Sequence, residues 1–188
     1  MKRSKPHLTI ALVLLAGASA AGAQDARPTF ELRGQRFGDE LPKKDRSCSP
    51  DKSIPGTHHC YTLMPGEIAG VEIGDVISSY LDGRLYGVSY RFAEFGYDPL
   101  AAALETKYGQ PDSVFATRLQ NRMGANFVNE TKLWRFADGM MMISRYGAKL
   151  TEGRIEATHY EGLKAWAARQ KIADREAALR DLGPPAKK

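Results

Sequence analysis

The clearest local signal in the sequence is VISSYLDGRLYGVSYRF, at residues 76–92. Two strand-like runs flank Asp82-Gly83, a dipeptide that favours a type I′ hairpin because both turn residues need a positive φ. A two-residue turn fixes the register, and it predicts that Ile77 pairs with Val88 and Ser79 with Tyr86. Alternation then places Ser78, Ser89 and Arg91 on one face, and on the other face the apolar and aromatic residues Ile77, Tyr86, Val88, Tyr90 and Phe92. The stretch therefore predicts an antiparallel sheet with one buried face.

A short helix follows this hairpin, over residues 99–108. Asp98 is a suitable N-cap, Pro99 suits the first helical position, and Gly109 with Pro111 provides the stop. The apolar side chains fall on one face at helical spacing, at Leu100, Ala103, Leu104 and Tyr108. We therefore expect this helix to cover the buried face of the sheet.

Further strands are predicted on both sides of the hairpin and helix. A first strand is expected at 29–32, and the proline-rich segment 41–65 is expected to be irregular apart from a short strand near 61–63. A second hairpin is predicted at 132–146, turning at Asp138-Gly139, with Trp134, Phe136, Met141 and Ile143 on one face. Residues 153–160 are predicted to form one more strand.

Two ten-residue segments, 32–41 and 68–77, share their Gly, Gly-Asp and apolar positions. This similarity has two explanations. The segments are either two related strand-turn units or independent examples of a common type of turn.

A long helix is predicted at 161–182, ended by Gly183-Pro184-Pro185. Leu163, Trp166 and Ala167 can pack its first turns on the domain. A second, heptad-like stripe comprises Ala165, Ala168, Ile172, Arg175, Leu179 and Leu182. Either the helix lies on its own domain along its whole length, or its distal half protrudes and meets a partner at Ile172, Arg175 and Leu179.

The first 23 residues have the three parts of an export signal. A basic start precedes the apolar run at 8–15, which is too short to span a bilayer core of about 20 residues. Small residues at 18–20 and 21–23 offer two cleavage sites, and the second would leave Gln24 as the mature N-terminus.

The predicted organisation is therefore a signal peptide at 1–23, an α+β domain at 24–160, the helix at 161–182 and a tail at 183–188. Lys2, Arg3 and Lys5 account for three of the five net positive charges, so the mature chain carries only about +2. This balance gives no general attraction to nucleic acid or to anionic membranes. No later stretch of the sequence is apolar enough to span a membrane.

The two cysteines, Cys48 and Cys60, are expected to form a disulfide, because an even pair in an exported chain is most simply bonded. The segment between them is rich in turn-forming residues and poor in apolar ones. Closing this loop should stabilise the fold by about 3 kcal/mol in the chain-entropy model.

The sequence contains few residues in patterns typical of catalysis. Adjacent His58 and His59 point to opposite sides of an extended chain, and the paired spacings of structural zinc sites are missing, so no metal or other cofactor is expected. The motifs of serine nucleophiles and of phosphate-binding loops are missing too. His159 near a strand end is a candidate base, but nothing in the sequence indicates a partner for it. We assign no catalytic residues.

A polar, glycine-containing segment precedes the second hairpin and carries Arg118 and Arg122. Such a segment is either a solvated connection or a contact surface for a partner.

Three functions remain as hypotheses. The first is an exported, non-catalytic periplasmic protein that binds another envelope or secreted protein, as an inhibitor, immunity protein or accessory factor. The second is a carrier of a small molecule or lipid, with the aromatic face lining a pocket instead of a closed core. The third and weakest is a metal-dependent hydrolase around His58 and His59. The fold class expected in each case is α+β: one antiparallel sheet built from hairpins, one short packing helix, a long C-terminal helix and a disulfide-tied loop.

Overall fold

A computed structural model describes residues 27–43, 45 and 47–181, so the predicted signal peptide and the tail lie outside the described residues. Within this part of the chain there are ten strands, a 3₁₀ turn at Glu94–Gly96 and two helices. The strands are β1 (Glu31–Leu32), β2 (Gln35–Arg36), β3 (Cys48–Pro50), β4 (Thr57–Ile68), β5 (Val71–Leu81), β6 (Arg84–Ala93), β7 (Ser113–Gln120), β8 (Asn126–Arg135), β9 (Gly139–Ser144) and β10 (Glu152–His159). The helices are α1 (Tyr97–Tyr108) and α2 (Tyr160–Asp181).

Eight of the strands form one antiparallel sheet in the order β3-β4-β5-β6-β10-β9-β8-β7, and β1 and β2 form a separate two-stranded ribbon. Sequential hairpins build each half of the sheet. The two halves join where β10 pairs with both β6 and β9. The fold is therefore α+β, as the sequence predicts. None of the described helices is both long enough and apolar enough to cross a membrane.

One face of the sheet, here called the core face, is covered by α1 and the β1-β2 ribbon. Its cluster of buried side chains includes Leu100 and Leu104 of α1, Phe30 before the ribbon, and Trp134 and Ile143 of the sheet. Full burial of such side chains contributes about 1.5–3 kcal/mol each, so this layer supplies most of the stability. On the opposite face, here called the outer face, the first turns of α2 pack against the sheet.

The central hairpin turns at Asp82-Gly83 as predicted, with φ of 50° and 75°. The predicted pairing beyond the turn is wrong. The register shifts at Ser79/Tyr80, so that Ile77 lies opposite Ser89 and Val88 lies opposite Ser78. Because one extra residue changes the face of every later side chain, this β-bulge moves Ser78 to the core face.

Two of the five side chains predicted for the buried face are therefore placed wrongly. Ile77 and Tyr86 lie on the outer face, whereas Val88, Tyr90 and Phe92 remain in the core as predicted.

Helix α1 ends at Tyr108, and the next residue, Gly109, has a φ of 79° that fits a residue without a side chain. The predicted N-cap is wrong, because the helix begins at Tyr97 directly after the 3₁₀ turn. Asp98 lies inside the first helical turn and pairs with Arg145 at 2.6 Å.

The second hairpin is shifted by two residues from the predicted pairing, since Arg135 pairs with Met140 and Trp134 with Met141. A shift of two residues preserves the faces. The four side chains predicted to share one face are all buried in the core: Trp134, Phe136, Met141 and Ile143.

Two strands extend beyond what the sequence predicts. β4 spans twelve residues, and it passes Pro65 by means of a register shift between Leu63 and Gly66. β7 lies in a segment for which the sequence pattern predicts a loop. Both have largely exposed side chains, which removes the alternation on which strand prediction depends.

The similarity between segments 32–41 and 68–77 corresponds to a shared turn. Arg33-Gly34 and Ala69-Gly70 both have positive φ at both residues, as does Asp82-Gly83. Each dipeptide connects two antiparallel strands. The requirements of a type I′ hairpin therefore account for the glycine shared at Gly34 and Gly70.

Candidate functional site

The first turns of α2 pack on the outer face of the sheet. Leu163 and Trp166 lie over a shallow groove of about 310 Å³ whose floor includes Ile77 and Met142. The approach is close at Gly162, where a Cβ atom would lie 2.4 Å from Cβ of Tyr86. The helix therefore begins at a fixed place on the sheet.

Arg169 connects α2 to the turn of the central hairpin. Its guanidinium donates two hydrogen bonds to the Asp82 carboxylate, at 3.0 and 2.5 Å, and a third to the carbonyl of Pro55 at 3.0 Å. Planar guanidinium groups suit this bidentate geometry. We call this group, Arg169 with Asp82 and Pro55, the helix latch.

The helix latch changes the titration of its acid. The hydrogen bond from Arg169 holds the pKa of the Asp82 carboxyl below its ordinary value. Both side chains are partly exposed, so solvent screens the pair. The latch sets the position of α2 and contributes little to global stability.

Beyond the latch, α2 extends away from the sheet. Among its described side chains, which end at residue 177, none is buried, and Ile172 is 60% exposed. Arg175 is exposed as well. Leu179 belongs to the helix, but its side chain lies outside the described part of the structure. The structure thus places the predicted contact residues Ile172 and Arg175 on a free helix surface.

We call the part of α2 beyond Arg169 its distal half. A cleft of about 780 Å³ separates this distal half from the loop between the cysteines. Charged and apolar side chains from both walls line it, among them Lys52, Pro55, Arg169, Ile172, Ala173 and Glu176. Ile172 therefore belongs both to the exposed stripe and to the cleft.

The predicted disulfide between Cys48 and Cys60 is present. It joins directly opposed residues of β3 and β4. Within the loop, the Asp51 carboxylate accepts hydrogen bonds from the backbone N–H groups of Ser53 and Ile54, and the Ile54 side chain is buried. The disulfide, the turn around Asp51 and the buried Ile54 side chain together fix the loop, which forms one wall of the cleft.

Three residues near the loop form a cluster of types that also occur in hydrolases. Nδ1 of His59 lies 2.9 Å from Oγ of Ser79, and its Nε2 lies 3.4 Å from Oδ2 of Asp51. The backbone N–H of Ser53 holds the pKa of Asp51 below its ordinary value, with a smaller contribution from His59.

Nucleophilic catalysis also needs donors for a developing oxyanion. Ser79 lies within β5, whose main-chain groups pair with β4 and β6 on both sides. Through its contacts with Asp51 and Ser79, His59 ties the loop to the sheet.

His58 and His59 lie on opposite sides of β4, as alternation predicts. His59 contacts Ser79 on the outer face, whereas His58 pairs with Tyr80, whose side chain is buried on the core face. Within the described residues, His, Cys, Asp and Glu side chains form no group of three that could hold a metal ion.

Arg118 and Arg122 belong to the arm formed by β7 and β8, not to a simple loop. Arg118 lies within β7, and Arg122 lies in the turn that joins the two strands. β8 pairs with β9 only from Thr131 onwards, so the arm projects beyond the rest of the sheet. Helix α2 contacts the central strands β6 and β10, and β9 and β8 separate these strands from β7. Arg118 and Arg122 therefore do not lie beside α2.

The aromatic residues considered for a carrier pocket are divided between the two faces. Tyr90, Phe92 and Trp134 are at most 1% exposed, within the packed layer between sheet and α1. Tyr86 packs on the other face against α2. In the described part of the chain these side chains fill a core.

Sequence reasoning did not find the helix latch or the His59 cluster. Arg169 and Asp82 are 87 residues apart, and no local pattern links them. Comparison with protein-family models, with curated proteins and with solved structures gave no match.

Proposed function

We propose that this chain is an exported, non-catalytic binding protein that acts in the periplasm by contacting another envelope or secreted protein. The contact surface is the distal half of α2, at Ile172 and Arg175, together with the cleft beside it. Inhibition, immunity and assembly are the kinds of role that such a contact serves.

The observation that carries this proposal is the exposure of α2. Isolated helices are marginal in water, and most helices in proteins are stabilised by packing one face. Here none of the described side chains beyond Arg169 is buried, and several of them line an open cleft. A partner that covers Ile172 would supply the missing packing.

Two further observations support the proposal. The packed aromatic core favours a binding module over a carrier, because a carrier needs an apolar cavity of a few hundred Å³. The disulfide is consistent with folding in an oxidising compartment, which agrees with the export signal expected at residues 1–23.

The experiment places a photoreactive amino acid at Arg175 of the full chain and identifies the cross-linked protein by mass spectrometry. We expect one partner, and we expect Ile172→Glu to abolish the adduct because it puts a charge at the centre of the contact. Ala167→Glu is the matched control, since residue 167 is also exposed on α2 but lies off the stripe.

The purified partner should then bind the Ile172→Glu protein at least about tenfold more weakly than the Ala167→Glu protein, a usual effect at a contact centre. Equal loss in both variants, or an adduct that persists in Ile172→Glu, would contradict the proposal.

A further inference from the structure

β7 is an edge strand whose outer side is unpaired within the described residues. It spans eight residues, SVFATRLQ, and six of its side chains are exposed, including Val114 and Phe115. An exposed edge of this kind is a template for another strand.

The free hydrogen-bonding groups of β7 belong to alternate residues. The N–H of Asn121 donates to the carbonyl of Ala125 across the turn, so hydrogen-bonded pairs with β8 recur at every second residue from there. Residues 113, 115, 117 and 119 therefore direct their main-chain groups to β8. Residues 114, 116, 118 and 120 direct theirs outwards.

The opposite edge of the sheet is protected against strand addition by prolines and a bulge, and β7 contains neither. Pro50 lies in β3, Pro65 lies in β4, and the β4 register shifts after Leu63. Prolines, bulges and charges are the usual protections of an edge. β7 contains no proline, glycine or lysine, and its single charge is Arg118.

We propose that β7 pairs with β7 of a second copy of this chain, antiparallel and centred on Thr117, to form one continuous sheet. This register uses only the outward main-chain groups, since Ala116 and Arg118 exchange hydrogen bonds with the same pair in reverse. Thr117 lies opposite itself, and Phe115 lies opposite Leu119 of the second copy.

Side-chain chemistry favours a second copy as the occupant. Aromatic–aliphatic and Thr–Thr pairs directly opposite each other stabilise antiparallel strands. The two Arg118 side chains each face an alanine, so no like charges oppose each other. Each β7 strand is thus complementary to itself in this register.

The interface is narrow, with about eight main-chain hydrogen bonds from four pairs. Contacts of this size fall below the area of stable dimers, so association should depend on concentration. The β7 edge is separate from the distal half of α2. That half of the helix faces the loop between the cysteines, which follows β3 at the other edge of the sheet.

The test measures mass by sedimentation equilibrium across protein concentrations, using the full mature chain. We expect the wild-type protein to dimerise reversibly, and we expect Thr117→Lys and Thr117→Glu to be monomers, because each places two like charges in opposition. Mixing the two variants should restore a dimer, since lysine then opposes glutamate. Near-UV circular dichroism verifies that each variant is folded.

A single added cysteine tests the register. Position 117 opposes itself in a non-hydrogen-bonded pair, the same kind of pair that the native disulfide joins, so the Thr117→Cys protein should oxidise to a covalent dimer. The Ala116→Cys protein should not. A wild-type monomer at all concentrations, or a dimer that both charged variants retain, would overturn the proposal.

Discussion

Asp82 has two roles that the sequence reveals to different degrees. Its φ of 50° belongs to the type I′ turn, and the Asp-Gly pair predicts that role locally. Its carboxylate also accepts hydrogen bonds from Arg169, which lies on α2, the helix that follows the last strand of the sheet. A local pattern cannot specify a partner that only the tertiary fold brings near.

At this scale we predict that Arg169→Ala increases hydrogen exchange in the distal half of α2 by about two- to fivefold, without changing the global unfolding midpoint. The reason is that the latch is exposed and positions the helix without supporting the core. Arg175→Ala is the control, because Arg175 is equally a helical arginine but belongs to no ion pair among the described residues. The measurement is hydrogen exchange by mass spectrometry.

The latch should also depend on pH in one direction. The pKa of Asp82 is lowered by Arg169, so the attraction is complete above the ordinary value of 3.8 and is lost as pH falls through the lowered pKa. Protection of α2 that weakened already between pH 7 and 5 would argue against this pair as its source.

At the scale of elements, the central hairpin shows how far a pattern extends. The turn and both strands follow from the sequence, but no local pattern predicts the register shift at Ser79/Tyr80. Beyond this shift Gly87, not Tyr86, lies opposite Ser79. The faces predicted for Ile77 and Tyr86 are wrong for this reason.

β7 escapes sequence-based prediction for a different reason. A strand with one buried face alternates polar and apolar residues, whereas an edge strand in a projecting arm is exposed on both faces. Its β-branched and aromatic residues, Val114, Phe115 and Thr117, are the only available signal. The sequence therefore indicates Arg118 as a candidate contact residue but does not predict that it lies on an edge strand.

For α2, we predict that deleting residues 173–188 leaves the free energy of unfolding unchanged within about 0.5 kcal/mol, since the deleted part includes no buried side chain among those described. Trp166→Ala should lower it by about 1–2 kcal/mol, because that half-buried side chain packs on the sheet. Urea denaturation measures both. A large loss on truncation would show that the distal half does pack on the domain.

At the scale of the molecule, one layer of packing carries the fold and the outer parts carry the candidate contacts. The sheet, α1 and the ribbon bury the large apolar side chains, and the hydrophobic pattern predicts most of them. The cleft depends on three segments distant in sequence: the cysteine loop, the hairpin turn and α2. Its position could not be predicted, although Ile172 on its wall belongs to the heptad-like stripe that the sequence shows.

The Cys48–Cys60 disulfide should contribute measurably to the stability of the whole molecule. It closes a loop with a separation of 12 residues, so reducing the wild-type protein should lower the free energy of unfolding by about 3 kcal/mol in the chain-entropy model. Reduction is preferable to substitution because Cys60 is buried beside Tyr80 and Leu85, and a smaller side chain would also lose packing.

Urea titrations of the oxidised and reduced protein measure the difference in the free energy of unfolding, and hydrogen exchange locates it. Exchange should rise first in the loop and β3, while β9 and β10 keep their protection, because the core layer does not depend on the bond. An unchanged unfolding midpoint would instead show that Ile54 and the Asp51 turn already hold the loop, and that the wall of the cleft is built by packing alone.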